Sequence, residues 1–171
     1  MNYYAGIGSR ETPLNILNLF EKISCYLGND NFTLRSGHAT GADQAFERGC
    51  DKANGKKEIY IPWKNFEGSN SNLILNNPEA FKIGEKYHPY WHNLKDGARK
   101  LQARNSHQVL GKDLNTLSKF IVCWTKNGKG QGGAGQAIRI AKAYNIPIFD
   151  AGGYKDIDDF RVELFEFVKT C

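Results

Sequence analysis

The stretch "LRSGHATGADQAFERG", Leu34 to Gly49, decides how the chain is read. An apolar run, "NFTLR" (Asn31–Arg35), stops there, and a helix-like pattern starts near Ala42. Between them lie Ser36, Gly37, Thr40 and Gly41, small residues at a strand-to-helix junction. Free backbone N–H groups and the helix dipole make such a junction an anion site. Asp43 falls in the first helical turn, where two roles are open to it. It either complements the dipole, alone or in a capping-box-like pair with Thr40, or accepts a hydrogen bond from a ribose hydroxyl or a base.

Outward from this turn the same pattern recurs. "YYAGI" (Tyr3–Ile7) reads as a buried strand and "GSRETP" as a loop. Leu14 to Leu27 reads as a helix with Leu14, Leu17, Phe20, Ile23 and Leu27 on one face. Thr12 is the expected N-cap, with Pro13 at the first helical position. After a helix from Ala42 to Ala53, "KEIYIPW" (Lys57–Trp63) is the third strand, stopped by Pro62. Lys64 to Asp96 is expected to form short helices and loops covering an edge or a mouth. A helix follows from Gly97 to Gly111, then a fourth strand, "KFIVCW" (Lys119–Trp124). The glycine-rich turn "TKNGKGQGG" leads into a helix from Ala134 to Tyr144. "IPIFD" (Ile146–Asp150) is the fifth strand, and Asp156 to Lys169 is a closing helix.

This alternation predicts one α/β domain over residues 1–171 with a mainly parallel sheet. Ligands of such sheets sit beyond the carboxyl ends of the strands, where the strand order reverses. The turns after the first, second and fourth predicted strands should open there together.

Composition bounds the function classes without choosing among them. The 171 residues are 40% hydrophobic and 24% charged, an ordinary globular balance, and the net charge of +5 suits a phosphate-bearing partner or plain solubility. Cys25, Cys50, Cys123 and Cys171 are far apart with no CxxC pair, which argues against a zinc site or a disulfide framework. The opening "MNYYAGIGSRETP" has no basic stretch followed by an apolar run, so a cytoplasmic location without a leader or membrane span is expected. His88 and His92 are four apart, but Pro89 breaks a helix between them and no third ligand is apparent; no metal or cofactor is expected.

The other turns carry their own chemistry. Gly8 lets the backbone come close to a ligand, and Ser9 and Arg10 offer a hydroxyl and a bidentate cationic fork. Arg104 and Asn105 are adjacent polar groups in a helical stretch. The last turn has five glycines within Gly128–Gly135, with Lys126 and Lys129 nearby. It lacks the GK[ST] ending of a Walker A loop and the GxGxxG spacing, which leaves a cradle of backbone amides.

In this order the turns resemble those of the SLOG superfamily of Rossmann-like domains, and most of all its DprA-like branch. "GSR" (Gly8–Arg10), "SGHATGAD" (Ser36–Asp43) and "RN" (Arg104–Asn105) match that branch's GSR, SGxAxGxD and RN elements, and "GGAGQA" (Gly132–Ala137) falls where it has its last glycine turn. The resemblance implies a Rossmann-like three-layer fold. It also implies a ligand site built from Gly8, Ser9, Arg10, Ser36, Gly37, Thr40, Gly41, Asp43, Arg104, Asn105, Trp124, Thr125, Gly132, Gly133, Gly135 and Gln136. The LOG-type phosphoribohydrolases of the superfamily carry a PGGxGTxEE motif; here its glutamate positions hold Ile138 and Arg139, and its Thr position holds Gln136. Asp43 and Glu47 are the acids left to substitute. The expectation is a protein, oligomeric in its active form, that binds a small phosphate-containing nucleotide such as an ADP-ribose-type or cyclic signal without turnover. A phage-encoded sponge acting against an immune signal is one such protein. Two other classes stay open: a nucleoside-monophosphate phosphoribohydrolase, and a DprA-like binder of single-stranded DNA with no room for a further DNA-binding module. The DNA binder would use Arg10, Arg35, Trp124, Lys126 and Lys129.

Overall fold

The computed structural model describes residues Met1 to Cys171. Six parallel strands form its sheet: β1 (Asn2–Gly6), β2 (Phe32–Ser36), β3 (Lys57–Ile61), β4 (Leu73–Ile74), β5 (Ile121–Cys123) and β6 (Ile148–Asp150). Their order across the sheet is β4-β3-β2-β1-β5-β6, so the order in which strands are added reverses between β1 and β5. Register is set by pairs such as Tyr4 with Leu34 and Ala5 with Ile121.

Six helices cover the two faces: α1 (Leu14–Asn29), α2 (Ala42–Lys52), α3 (Pro78–Tyr87), α4 (Asp96–Leu110), α5 (Gly135–Ala143) and α6 (Ile157–Val168). Strand alternation sorts the core into two layers. Tyr4, Leu34, Phe120 and Val122 pack with Phe20, Ile23 and Leu27 of α1, Phe46 of α2 and Phe160 and Leu164 of α6. Ala5, Ile121 and Cys123 point to the other face, onto Val109 and Leu110 of α4 and Ala137, Ile138 and Ile140 of α5. The result is the expected three-layer α/β fold of Rossmann-like type.

Three local expectations need correction. Helix α1 begins at Leu14 with Pro13 as its cap, and Ile16 and Leu17 donate to the Pro13 carbonyl. Thr12 does not cap it: its hydroxyl donates 2.6 Å to the Ser9 carbonyl and closes the turn after β1 instead. The Lys64–Asp96 segment contains an edge strand, β4, and the ten-residue helix α3. Only two residues long, β4 carries no alternation to read in the sequence; it forms because Leu73 and Ile74 pair with Tyr60 and Ile61. Arg35, placed among the cations of a DNA track, is buried on β2. Its guanidinium donates to the Thr116 carbonyl (2.6 Å), Ser118 Oγ and Glu58, and packs 3.8 Å from the Tyr3 ring centroid. It ties β2 to the chain entering β5 and is not offered to a ligand.

Candidate functional site

The strand reversal between β1 and β5 holds a cavity of about 420 Å³. The loop after β1 contributes Gly8, Ser9, Arg10 and Glu11, the turn after β2 contributes Ala39 and Asp43, and the loop after β5 contributes Gly132, Gly133 and Ala134. Helix α4 closes the remaining side with Leu101, Gln102, Arg104, Asn105 and Gln108, and Phe66 stands over it. Three loops thus open onto one edge, as the strand pattern requires.

Eight of the residues singled out in the sequence line this cavity: Gly8, Ser9, Arg10, Asp43, Arg104, Asn105, Gly132 and Gly133. The others build its frame. Ser36 Oγ donates 2.6 Å to the Gly6 carbonyl and locks β2 to β1. A Cβ on Gly37 would lie 2.4 Å from Arg104 Nη1, so only glycine lets the guanidinium rest there. Gly41 has φ of 99°, and a Cβ on it would stand 2.8 Å from the Ser9 carbonyl oxygen. Thr125 receives Gly130 N–H on its hydroxyl and anchors on Asp150, which fixes the start of the last glycine turn. Trp124 is half-buried against the core beside Gly8. Gly135 sits under the Gly130 carbonyl. Gln136 turns away from the cavity: its amide donates to Gly84 of α3 and its carbonyl receives Arg139.

The Thr40 turn is not an open cradle, because a carboxylate already occupies it. Glu67 Oε2 accepts from the Thr40 backbone N–H at 2.8 Å, and Oε1 accepts from the Thr40 hydroxyl at 3.2 Å. Arg10 Nη2 lies 2.8 Å from the same Oε1. Glu67 reaches this position from a backbone with φ of 46°, between Asn65 at 61° and Gly68 at 81°. The capping-box pair of Thr40 with Asp43 is therefore absent, since the Thr40 side chain serves Glu67.

Asp43 lies on the cavity floor, where Oδ2 accepts from Ala39 N–H at 3.2 Å. Burial pushes its pKa up to about 6, against the pull of Arg104 and of the Ala39 and Gly8 N–H groups. Arg104 is buried too, and loss of solvent holds its pKa below the ordinary value. Its Nη1 donates to the carbonyls of Gly37 (2.7 Å) and Tyr60 (3.0 Å), its Nε to Asn105 Oδ1, and its face covers Phe66. Asn105 in turn donates 3.1 Å to the Gly133 carbonyl. The RN pair thus joins the turn after β2 to the glycine loop after β5. Gln102 Oε1 is buried here without a hydrogen-bond partner.

Sequence reasoning missed Phe66, Glu67, Leu101, Gln102 and Gln108. For α4 a signal existed: Leu101, Arg104, Asn105 and Gln108 are spaced three, four and seven apart, one stripe of a helix. Glu47, the alternative acid, is outside the cavity, paired with His38 and Lys57. At the two LOG glutamate positions, Ile138 is packed in the core and Arg139 is held by Gln136 and the Tyr87 carbonyl.

An all-parallel sheet in this order, with a polar cavity at its reversal, defines a Rossmann-like α/β domain. Solved structures share that fold. DNA processing protein A from Helicobacter pylori, described for its single-stranded DNA binding mode, matches with a TM-score of 0.55 and 16% identity, over 87% of this chain and 64% of that one. DprA from Streptococcus pneumoniae gives 0.57 and 20% identity, over 97% and 56%. The molybdenum cofactor carrier protein from Chlamydomonas reinhardtii gives 0.56 and 12%, over 96% and 85%. The chain therefore spans less than two thirds of the two DprA chains. No family model and no curated protein sequence matches it. No helix is long and apolar enough to cross a membrane.

Proposed function

We propose that this cavity binds a phosphate-containing, nucleotide-derived ligand and holds it without turnover. The carrying observation is the Glu67 carboxylate, on which the Arg10 guanidinium and the Thr40 N–H and hydroxyl converge. A set of donors that collects one anion collects a phosphate by the same charge-assisted hydrogen bonds. In this reading the phosphate displaces Glu67, and the open backbone at Gly132 and Gly133 takes further phosphate or sugar. Asp43 receives hydroxyl or amino donors of the ligand.

The absence of a carboxylate at positions 138 and 139 supports binding over hydrolysis. So does the use of this fold by a protein named as a cofactor carrier. ADP-ribose-type and cyclic nucleotides are the ligand classes proposed, with sequestration or sensing as the role and a homo-oligomer as the working form. A second reading, single-stranded DNA binding, is favoured by the fold shared with the DprA proteins and by the exposed Lys126 and Lys129 beside the glycine turn.

The test is a thermal-shift series with ADP-ribose, mononucleotides, cyclic dinucleotides and oligothymidylates of increasing length, with mass spectrometry of the solution afterwards. One nucleotide should raise the melting temperature saturably, by linkage, and remain intact. Arg10→Ala should remove that shift. Free base or ribose phosphate in the solution would establish an enzyme instead. Binding to oligothymidylates alone, growing with length and collapsing with salt, would establish the DNA reading.

A further inference from the structure

Arg104 is also part of the wall of a second, smaller cavity that the fold resemblance did not foreshadow. It encloses about 230 Å³ along the edge strand. Tyr60 and Ile61 of β3, the run Asn72–Asn77 through β4, and Arg104, His107 and Lys112 at α4 surround it. Its size falls below the roughly 300 Å³ at which pockets for drug-sized ligands begin, so it suits one ring system rather than a whole nucleotide.

His107 gives the cavity its chemistry. The side chain is 6% exposed, and its ring lies 5.3 Å from that of Tyr60, tilted by 18°. Nδ1 is 3.0 Å from the Gly111 carbonyl oxygen. A carbonyl only accepts, so Nδ1 carries the proton and Nε2 of the neutral ring is a bare acceptor. Burial lowers the pKa of His107, which keeps the ring neutral at pH 7. Nε2 makes no hydrogen bond to the protein, yet it is not among the sealed, unpartnered atoms. His107 is one of the residues that line the cavity, and Nε2 is its ring atom left for an occupant.

The rest of the wall narrows the occupant. It contains no carboxylate, whereas Arg104 and Lys112 are cationic, which turns cations away. A bare phosphate would set its oxygens against the Nε2 lone pair, acceptor facing acceptor. Ile61, Leu73, Ile74 and Leu75 supply apolar walls for the faces of a flat group, and Asn72 and Asn76 supply amides for its edge. We propose that this cavity is a binding site for an uncharged heteroaromatic ring of the nucleobase type. A ring or exocyclic N–H of that group donates to His107 Nε2, while a carbonyl or ring nitrogen accepts from Arg104 or Lys112. The proposal does not depend on the phosphate reading of the first cavity, and its probe carries no phosphate.

The experiment is a nitrogen-15 spectrum of the histidine side chains, titrated with guanosine, adenosine, cytidine and uridine at millimolar concentrations, and separately with inorganic phosphate. A saturable shift of His107 Nε2 with at least one nucleoside, and none with phosphate, is the expected result. His107→Phe keeps a ring against Tyr60 but has no acceptor, and should weaken that nucleoside at least tenfold. No movement of Nε2 with any nucleoside, or movement with phosphate alone, would overturn the assignment. So would undiminished nucleoside binding by a folded His107→Phe protein.

Discussion

Two glycine turns border the first cavity, and their glycines sit in opposite surroundings, although Gly41 and Gly132 share a positive φ (99° and 81°). In the turn after β2, Gly37 and Gly41 are glycine because protein atoms already fill the space a side chain would need. In the turn after β5, nothing lies within 4 Å of a Cβ placed on Gly132 or Gly133. The first turn is a finished piece of architecture, its Thr40 donors taken by Glu67 and its carbonyl at Gly37 by Arg104. The second leaves its backbone open toward the cavity. Glycine density alone does not mark a ligand site; what surrounds each glycine does.

The largest expected effect comes from exchanging the two. Gly41→Ala must place a side chain at a φ of 99°, 2.8 Å from a backbone oxygen. It should cost about 3 kcal/mol in urea unfolding. Gly133→Ala meets no atom and should change stability by no more than about 0.5 kcal/mol. It should nonetheless weaken nucleotide binding about tenfold, if the ligand lies against that backbone. A stable Gly133→Ala protein with full affinity would place the ligand elsewhere, and the contrast between the turns would lose its functional meaning.

The same contrast explains what was legible in the sequence. Five of the six strands and the residues Gly8–Arg10 and Asp43 follow from local patterns, since each site residue sits at a fixed offset from a strand end. Arg104–Asn105 stands out only through the family resemblance, because an arginine on a helix is ordinarily a solvated charge. Glu67 follows from neither. Its partner Thr40 is 27 residues away, and nothing around Glu67 announces the positive φ that aims it. The Asn-rich Lys64–Asp96 segment draws its structure from pairing with β3 and packing on α4, as when Trp91 nests with Ala80 and Ala103. Such contacts depend on the assembled sheet, so no window of sequence contains them.

An effect of similar size on stability comes from Asp43, buried beneath the finished turn. The residue ionises near 3.8 when unprotected and near 6 in the native chain. Between those values the native state holds a proton that the unfolded chain has released. Stability is therefore greatest below pH 4 as far as this group is concerned, and falls by about 3 kcal/mol as pH rises through 6. Asp43→Asn cannot ionise, so it should flatten that part of the profile and unfold at higher urea than the parent at pH 7.5. A phosphodiester probe, whose own charge is constant here, should bind the parent more weakly at pH 7 than at pH 5, and bind Asp43→Asn equally at both. Parallel stability profiles for the two proteins would mean that Asp43 stays ionised throughout.

The smallest effect addresses the carboxylate in the Thr40 turn. The ion pair of Glu67 with Arg10 is partly exposed, the Arg10 side chain by 60%, and such pairs contribute at most about 1 kcal/mol. Glu67→Gln keeps an oxygen for the Thr40 N–H but removes the charge that competes for Arg10. Stability should hardly move. Affinity for a phosphate-containing ligand should rise about fivefold, the equivalent of 1 kcal/mol, because the ligand no longer displaces an anion. If Glu67 instead serves the ligand, by accepting a ribose hydroxyl for instance, the same substitution lowers affinity. The sign of that change decides whether the turn holds its carboxylate in place of the ligand or alongside it.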